Sequence, residues 1–181
     1  ISNLGFKNNF YFYLKNLNSI GKNDAIYTSN AQLDGMSIIK FDTSFPLIKS
    51  KDIVKETLTP KISFRLNPGN NMNDYSGSSS IITAHNAFDI NRLGISNEFE
   101  AGRSLTFGID YKIDHLEENK SEDIKDKYLE FKLATVIRDQ NEDDVPKSST
   151  INRKNSNIFG SINNNLMENI NLRYDFSLDN D

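Results

Sequence analysis

The sequence runs to 181 residues, with 36% hydrophobic and 25% charged side chains, a net charge of −4 and no cysteine. The length suits one domain, the near-balanced charge lacks the broad basic surface that nucleic acid demands, and the missing thiols exclude a disulfide framework, a zinc–cysteine site or a cysteine nucleophile within these residues. The mean hydropathy of −0.58 is low for a chain that buries a single core, and no stretch approaches the about 20 apolar residues of a membrane-spanning helix.

In chain order, the apolar side chains recur at every second residue, which is the period of a β-strand. From Phe6 to Leu14 one face reads Phe6, Phe10, Phe12 and Leu14, and the other Lys7, Asn9, Tyr11 and Tyr13. Ile39 to Leu47 alternates Ile39, Phe41, Phe45 and Leu47 with Lys40, Asp42 and Ser44. Leu58 to Leu66 sets Leu58, Ile62, Phe64 and Leu66 against Thr59, Lys61, Ser63 and Arg65. Phe99 to Ile113 sets Leu105, Phe107, Ile109 and Tyr111 against Ser104, Thr106, Gly108 and Asp110. Leu129 to Ile137 and Ile170 to Leu178 repeat the pattern, and Asn157 to Asn163 fits it more weakly. The one helix-like stretch, Glu117 to Lys127, is polar apart from Ile124 and has no stripe to dock.

These are seven candidate strands, and several are long enough to cross a bilayer at a tilt, which takes about nine to eleven residues. The expected fold is all-β: an antiparallel, up-and-down transmembrane β-barrel segment of about seven strands, with residues 1–181 forming part of one barrel domain. Lys, Arg, Asp and Glu in mid-strand suit a water-filled lumen. Lys49 to Glu56 and Asn164 to Asn169 are short connections, whereas 67–98 and 139–156 are long and polar, as is Leu17 to Gly35. The long loops are therefore expected on the extracellular side and the short turns inside, with the Asp114 to Asp126 link longer than that rule prefers. The opening Ile1-Ser2-Asn3-Leu4-Gly5 has neither the basic start nor the apolar run of a secretory signal.

Isolated polar residues read as loop chemistry. His85 and His115 are expected to be solvated, Ser78, Ser79 and Ser80 to be loop, and the acidic group Asp139, Glu142, Asp143 and Asp144 to be a solvated outer loop without calcium-loop spacing. No metal site, cofactor or catalytic constellation is expected. Pro46 and Pro60 fall inside two strand candidates and call for a bulge, a rim position or a break between strands. Gly102 and Gly108 share one strand face and mark a bend or a close approach.

The segment Asn86-Ala87-Phe88-Asp89-Ile90-Asn91-Arg92-Leu93-Gly94, followed by Glu100-Ala101-Gly102 and Phe107-Gly108, resembles the LPS-assembly outer-membrane protein family, once named for organic-solvent tolerance. Asn86, Phe88, Asn91, Arg92, Gly94, Glu100, Gly102, Phe107 and Gly108 fall where that family's motif places its Asn, Phe, Arg and Gly residues, between an outer loop and a strand. Leu93 replaces a family Phe, and the family's Asp-Arg pair is absent near Asn97-Glu98. Phe45-Pro46-Leu47, Leu58-Thr59-Pro60-Lys61 and Ile158 to Asp179 add weaker likenesses, so the resemblance spans about 36–181.

The resemblance implies the C-terminal part of a large barrel in the cell outer membrane that delivers lipopolysaccharide to the outer leaflet and is not an enzyme. It implies a lipoprotein plug in the lumen, and periplasmic LPS-bridge proteins reached through an N-terminal domain outside this chain. Two other readings remain open from the residues themselves: a porin or receptor-type barrel of another family, and a soluble β-sandwich binding module. A second sheet packed on Phe10, Phe41, Phe107 and Phe131 would favour the sandwich.

Overall fold

A computed structural model describes residues 4–23, 29–69, 81–95, 99–115, 127–143, 145–167 and 170–179. The strands are β1 (Lys7–Ser19), β2 (Gln32–Ser44), β3 (Leu47–Lys51), β4 (Val54–Asn67), β5 (Gly102–His115), β6 (Lys127–Arg138), β7 (Ile158–Met167) and β8 (Ile170–Leu178). They form one antiparallel sheet in the order β1-β2-β4-β5-β6-β7-β8, with β3 also on β4. Apart from β3, which continues the line of β2 along β4, each strand lies beside the next in sequence, which is the up-and-down order expected of a barrel wall. The sheet does not close on itself within the described residues.

Each run of alternation is a strand, and most run further than the alternation alone suggests. β1 and β2 pair out to Ser19–Gln32, so the connection expected over Leu17 to Gly35 shortens to 20–31. At the other end, Asn164 to Met167 belongs to β7 and not to a turn; the ladder with β8 slips between Asn164 and Met167. Cross-strand hydrogen bonds extend a strand through residues such as Asn163 and Asn164 that carry no apolar signal. The helix-like residues 117–126, the serines 78–80, Asp144 and residues 168–169 lie outside the described residues.

The two prolines act without a bulge. Ser44 pairs with Lys61 and Leu47 with Leu58, so the register is unchanged across Phe45–Pro46, and β2 and β3 are one strand with a gap in its ladder. The Phe45 amide still donates to the Pro60 carbonyl at 3.0 Å, but Pro60 has no N–H to return the bond. Successive residues point their amides to opposite edges of a strand, so Pro46 lacks its donor on the β1 side. There β1 stops, at Lys7 opposite Ser44, and the chain turns away at Gly5, whose φ is +85°.

Register sorts the side chains into two faces. Phe10, Phe41, Phe64, Leu105 and Ile137 align as one row across β1, β2, β4, β5 and β6, and all five are exposed. Directly beside it on the opposite face, Lys40, Arg65, Ser104 and Arg138 align as a second row, and all four are buried. This inverts the distribution of a water-soluble protein, where charged residues face solvent and Phe and Leu face in. No second sheet covers the apolar face among the described residues.

What buries the polar face is the chain itself. Ile82, Ala84, Ala87, Leu93 and Ile95 from the connection after β4, with Val145 and Ile151 from the one after β6, pack on Ala134 and Val136 of β6 and Phe159 of β7. Ile90 and Phe99 pack on Met36 and Ile38 of β2. Both long connections leave the sheet at the end where Ser19, Asn67, Gly102 and Arg138 lie, and both fold back onto the polar face.

Candidate functional site

The segment 81–95 is a series of turns, and two asparagines shape it. The Asn86 side chain accepts from the Thr83 amide at 2.8 Å and donates to the Ile81 carbonyl at 3.0 Å, closing the first turn. Asn91 donates to the Ile95 carbonyl at 2.8 Å, while Gly94, at φ +65°, donates its amide to the Asn91 carbonyl at 3.2 Å. Between these turns Arg92 is aimed into the sheet.

Arg92 is 2% exposed and reaches two strand hydroxyls, Thr106 at 3.0 Å and Ser104 at 2.9 Å. It also donates to the Glu100 carboxylate. Arg65 of β4 approaches the same carboxylate oxygen at 3.2 Å and donates to the Glu100 carbonyl at 2.8 Å, a carbonyl that Asn67 shares at 3.0 Å. Arg138 of β6 lies 3.4 Å from that oxygen and donates to the Ala101 carbonyl. One buried carboxylate is thus ringed by three guanidinium groups from β4, β6 and the loop. Burial pushes the Glu100 carboxyl up, but the charges of Arg92, Arg65 and Arg138 outweigh it and hold the pKa at about 2.

Two glycines make room for this docking. Gly102 has φ +87°, and a Cβ there would lie 2.6 Å from the Glu142 carboxylate and 3.0 Å from the Arg138 guanidinium. A Cβ on Gly108 would lie 2.7 Å from the Phe88 ring, which rests on the strand at that point with Lys61 4.5 Å from its centre. Gly108→Val is therefore expected to expel the ring and destabilise the barrel by about 1–3 kcal/mol. Gly35→Val, at a strand position where a Cβ meets nothing within 4 Å, is the control expected to be near neutral. Urea midpoints of the two variants in lipid or detergent measure the difference.

Of the nine motif residues, Asn86, Asn91 and Gly94 shape the loop. Phe88, Arg92, Glu100, Gly102 and Gly108 meet on the polar face, and Phe107 stands apart on the apolar face. Arg65, Arg138, Asn67, Ser104 and Thr106 complete the site, and sequence reasoning did not single them out. Arg65 and Arg138 were legible as polar-face charges. Their convergence depends on the Arg65–Ser104–Arg138 register, for which the sequence carries no signal.

The loops expected to be solvated are partly engaged. Asp139 pairs with Arg103 at 2.6 Å, and Glu142 lies 3.6 Å from Arg138. His85 is half-buried, with Nε2 at 2.8 Å from the Ser161 hydroxyl and Nδ1 at 3.5 Å from the Lys132 ammonium. Apolar neighbours with no regular spacing, such as Leu93 and Val145, pull these polar residues down with them. The His85–Ser161–Asp175 grouping is not a nucleophilic triad, because an ammonium stands at Nδ1 where a triad places its carboxylate. Among the described residues no three His, Asp or Glu side chains converge as metal ligands.

Comparison with known families matches residues 4–181 to LptD, described as LPS transport system D. No curated protein matches the chain.

Proposed function

The chain belongs to the LPS transport system D family, and from that premise we propose that it forms part of the outer-membrane barrel that inserts lipopolysaccharide into the outer leaflet. The observation that carries this reading is the inverted pair of rows, exposed Phe10–Phe41–Phe64–Leu105–Ile137 beside buried Lys40–Arg65–Ser104–Arg138. An apolar face of that extent is stable against acyl chains and unstable against water. The polar face solves the substrate's own problem: phosphorylated sugars crossing an apolar membrane without hydrogen-bonding partners would cost many kcal/mol.

In this reading the apolar face meets lipid, and the polar face lines the route of the saccharide. The end bearing the long connections 20–31, 68–101 and 139–157 is extracellular, and the turn at Asp52–Ile53 is periplasmic. A lipoprotein plug occupies the lumen, and periplasmic bridge proteins feed it through another domain of the full-length protein. The protein conducts an amphiphile and makes no covalent bond.

Depleting the full-length protein from cells tests the reading. Surface lipopolysaccharide, measured with a probe that reaches only the outer leaflet, is expected to fall as new material stalls behind the membrane. A photoreactive residue at Tyr13, on the polar face, is expected to capture lipopolysaccharide only while synthesis continues. Unchanged surface lipopolysaccharide with lost uptake of small solutes would instead identify a porin.

A further inference from the structure

We propose that His85 is an acid-sensitive latch, which holds segment 81–95 on the polar face when neutral and releases it when protonated. The latch rests on the fold alone; that its release opens the transport route rests on the function proposed above.

The two ring nitrogens have fixed roles. Lysine only donates, so the Lys132 ammonium at 3.5 Å makes Nδ1 an acceptor, and the ring proton sits on Nε2. Nε2–H then donates to the Ser161 hydroxyl at 2.8 Å, and Ser161 passes its own proton toward Asp175. The chain of donors runs one way, from β6 through the loop histidine to β7 and β8. A second proton on the ring can enter only at Nδ1. It would replace an acceptor by a donor directly facing an ammonium, losing one hydrogen bond and adding a like-charge contact.

The surroundings do not compensate. From β6, Lys132 and Glu130 face the ring, with Glu130 already bound to Lys132 at 3.1 Å. From β8, Asp175 lies 3.8 Å from Nε2, but Arg173 holds it at 2.8 Å and Ser161 also binds it. Asp110 of β5 shares a cross-strand row with Lys132 and is bound to Lys61 of β4 at 2.8 Å. On the same segment Asp89 faces Lys40, and Arg92 faces Glu100. Burial, then Lys132 and Arg173, hold His85 below the ordinary histidine value of 6.5 against the opposing pull of Asp175 and Glu130. The sign follows: once released, the ring regains its ordinary proton affinity. Docking is therefore complete above about pH 6.5 and weakens as pH falls, by at most about tenfold per pH unit for one proton.

Hydrogen exchange on the full-length protein in lipid nanodiscs reads this directly, with rates corrected for the known pH dependence of free amides. Protection of amides 82–95 is expected to fall severalfold or more between pH 8 and pH 5, while strand amides keep theirs. His85→Gln, which retains a donor for Ser161 and cannot titrate, is expected to abolish the pH dependence. Lys132→Met leaves the histidine and its burial in place, removes the opposing ammonium, and is expected to reduce the acid loss without abolishing it. Protection that stays constant with pH in the native protein, or that falls equally in both variants, overturns the latch. A transport failure would show separately, as surface lipopolysaccharide indifferent to depletion while the exchange pattern persists.

Discussion

Replacing Glu100 by alanine is expected to be among the most damaging single changes in this chain, lowering stability by about 3–5 kcal/mol. The carboxylate is 1% exposed and is the shared counter-charge of Arg65, Arg92 and Arg138, all of them buried. Without it three guanidinium groups from β4, β6 and the loop repel one another where water cannot solvate them. The loop residues 81–95 should then leave the polar face, because Arg92 has lost its charged partner. The shift in the urea or thermal midpoint of the folded barrel measures the loss. Asp139→Ala removes a carboxylate from an exposed pair with Arg103 and should change stability by less than about 1 kcal/mol.

The same carboxylate sets a pH signature. Its folded-state pKa is depressed from an ordinary 4.5 to about 2, so its contribution is fully present above the ordinary value. It is lost as pH falls through the window down to about 2, since the unfolded chain takes up the proton first. Glu100→Gln should be weakened at neutral pH and should lose the pH dependence in that acid window. If the native protein and Glu100→Gln respond alike between those values, the carboxylate is not the keystone of the cluster.

The second large effect lies on the opposite face. Phe107→Arg puts a guanidinium near the middle of β5 on the apolar surface, where insertion into lipid is expected to cost about 2–4 kcal/mol at the bilayer midplane. In a water-soluble sheet the same exposed position would tolerate Arg within about 0.5 kcal/mol. Size and sign therefore separate a lipid-facing wall from a solvated one. Asn9→Arg, on the polar face of β1, is the matched control and should be near neutral in lipid. Reversible unfolding from bilayers gives both numbers, and a tolerated Phe107→Arg would contradict the membrane assignment.

How much of this was legible in the sequence follows from where each signal comes from. The wall was legible because alternation is local: the faces of Phe41 and Lys40, or of Phe107 and Thr106, are fixed by neighbours one residue away. The family motif was legible as residue types: five of its nine members meet on the polar face and three more shape the loop docked there. Register was not legible, since nothing in β4 or β6 alone says that Arg65 and Arg138 stand on either side of Ser104. Loop burial was not legible either. Ile82, Leu93, Val145 and Ile151 are spaced by turns and follow neither strand nor helix period, so they read as scattered residues in polar connections. Of the three outcomes the prolines left open, Pro46 takes the break between strands and neither takes a bulge: the chain drops the rung and keeps count.

That dropped rung has a mechanical consequence. Within one strand, Pro60 removes a tie on the β4 side of Phe45, and one residue later Pro46 removes a tie on the β1 side. Above that level β2 is laced to β4 as far as Ile39 and to β1 as far as Gln32; below it, the β3–β4 hairpin hangs from β5 alone among the described strands. Stiffness of a sheet resides in its ladders, so the wall has a crease at Phe45–Pro46. When the barrel changes girth or shape, flexing will concentrate there, leaving the loop-bolted panel of β4, β5 and β6 to move as one plate.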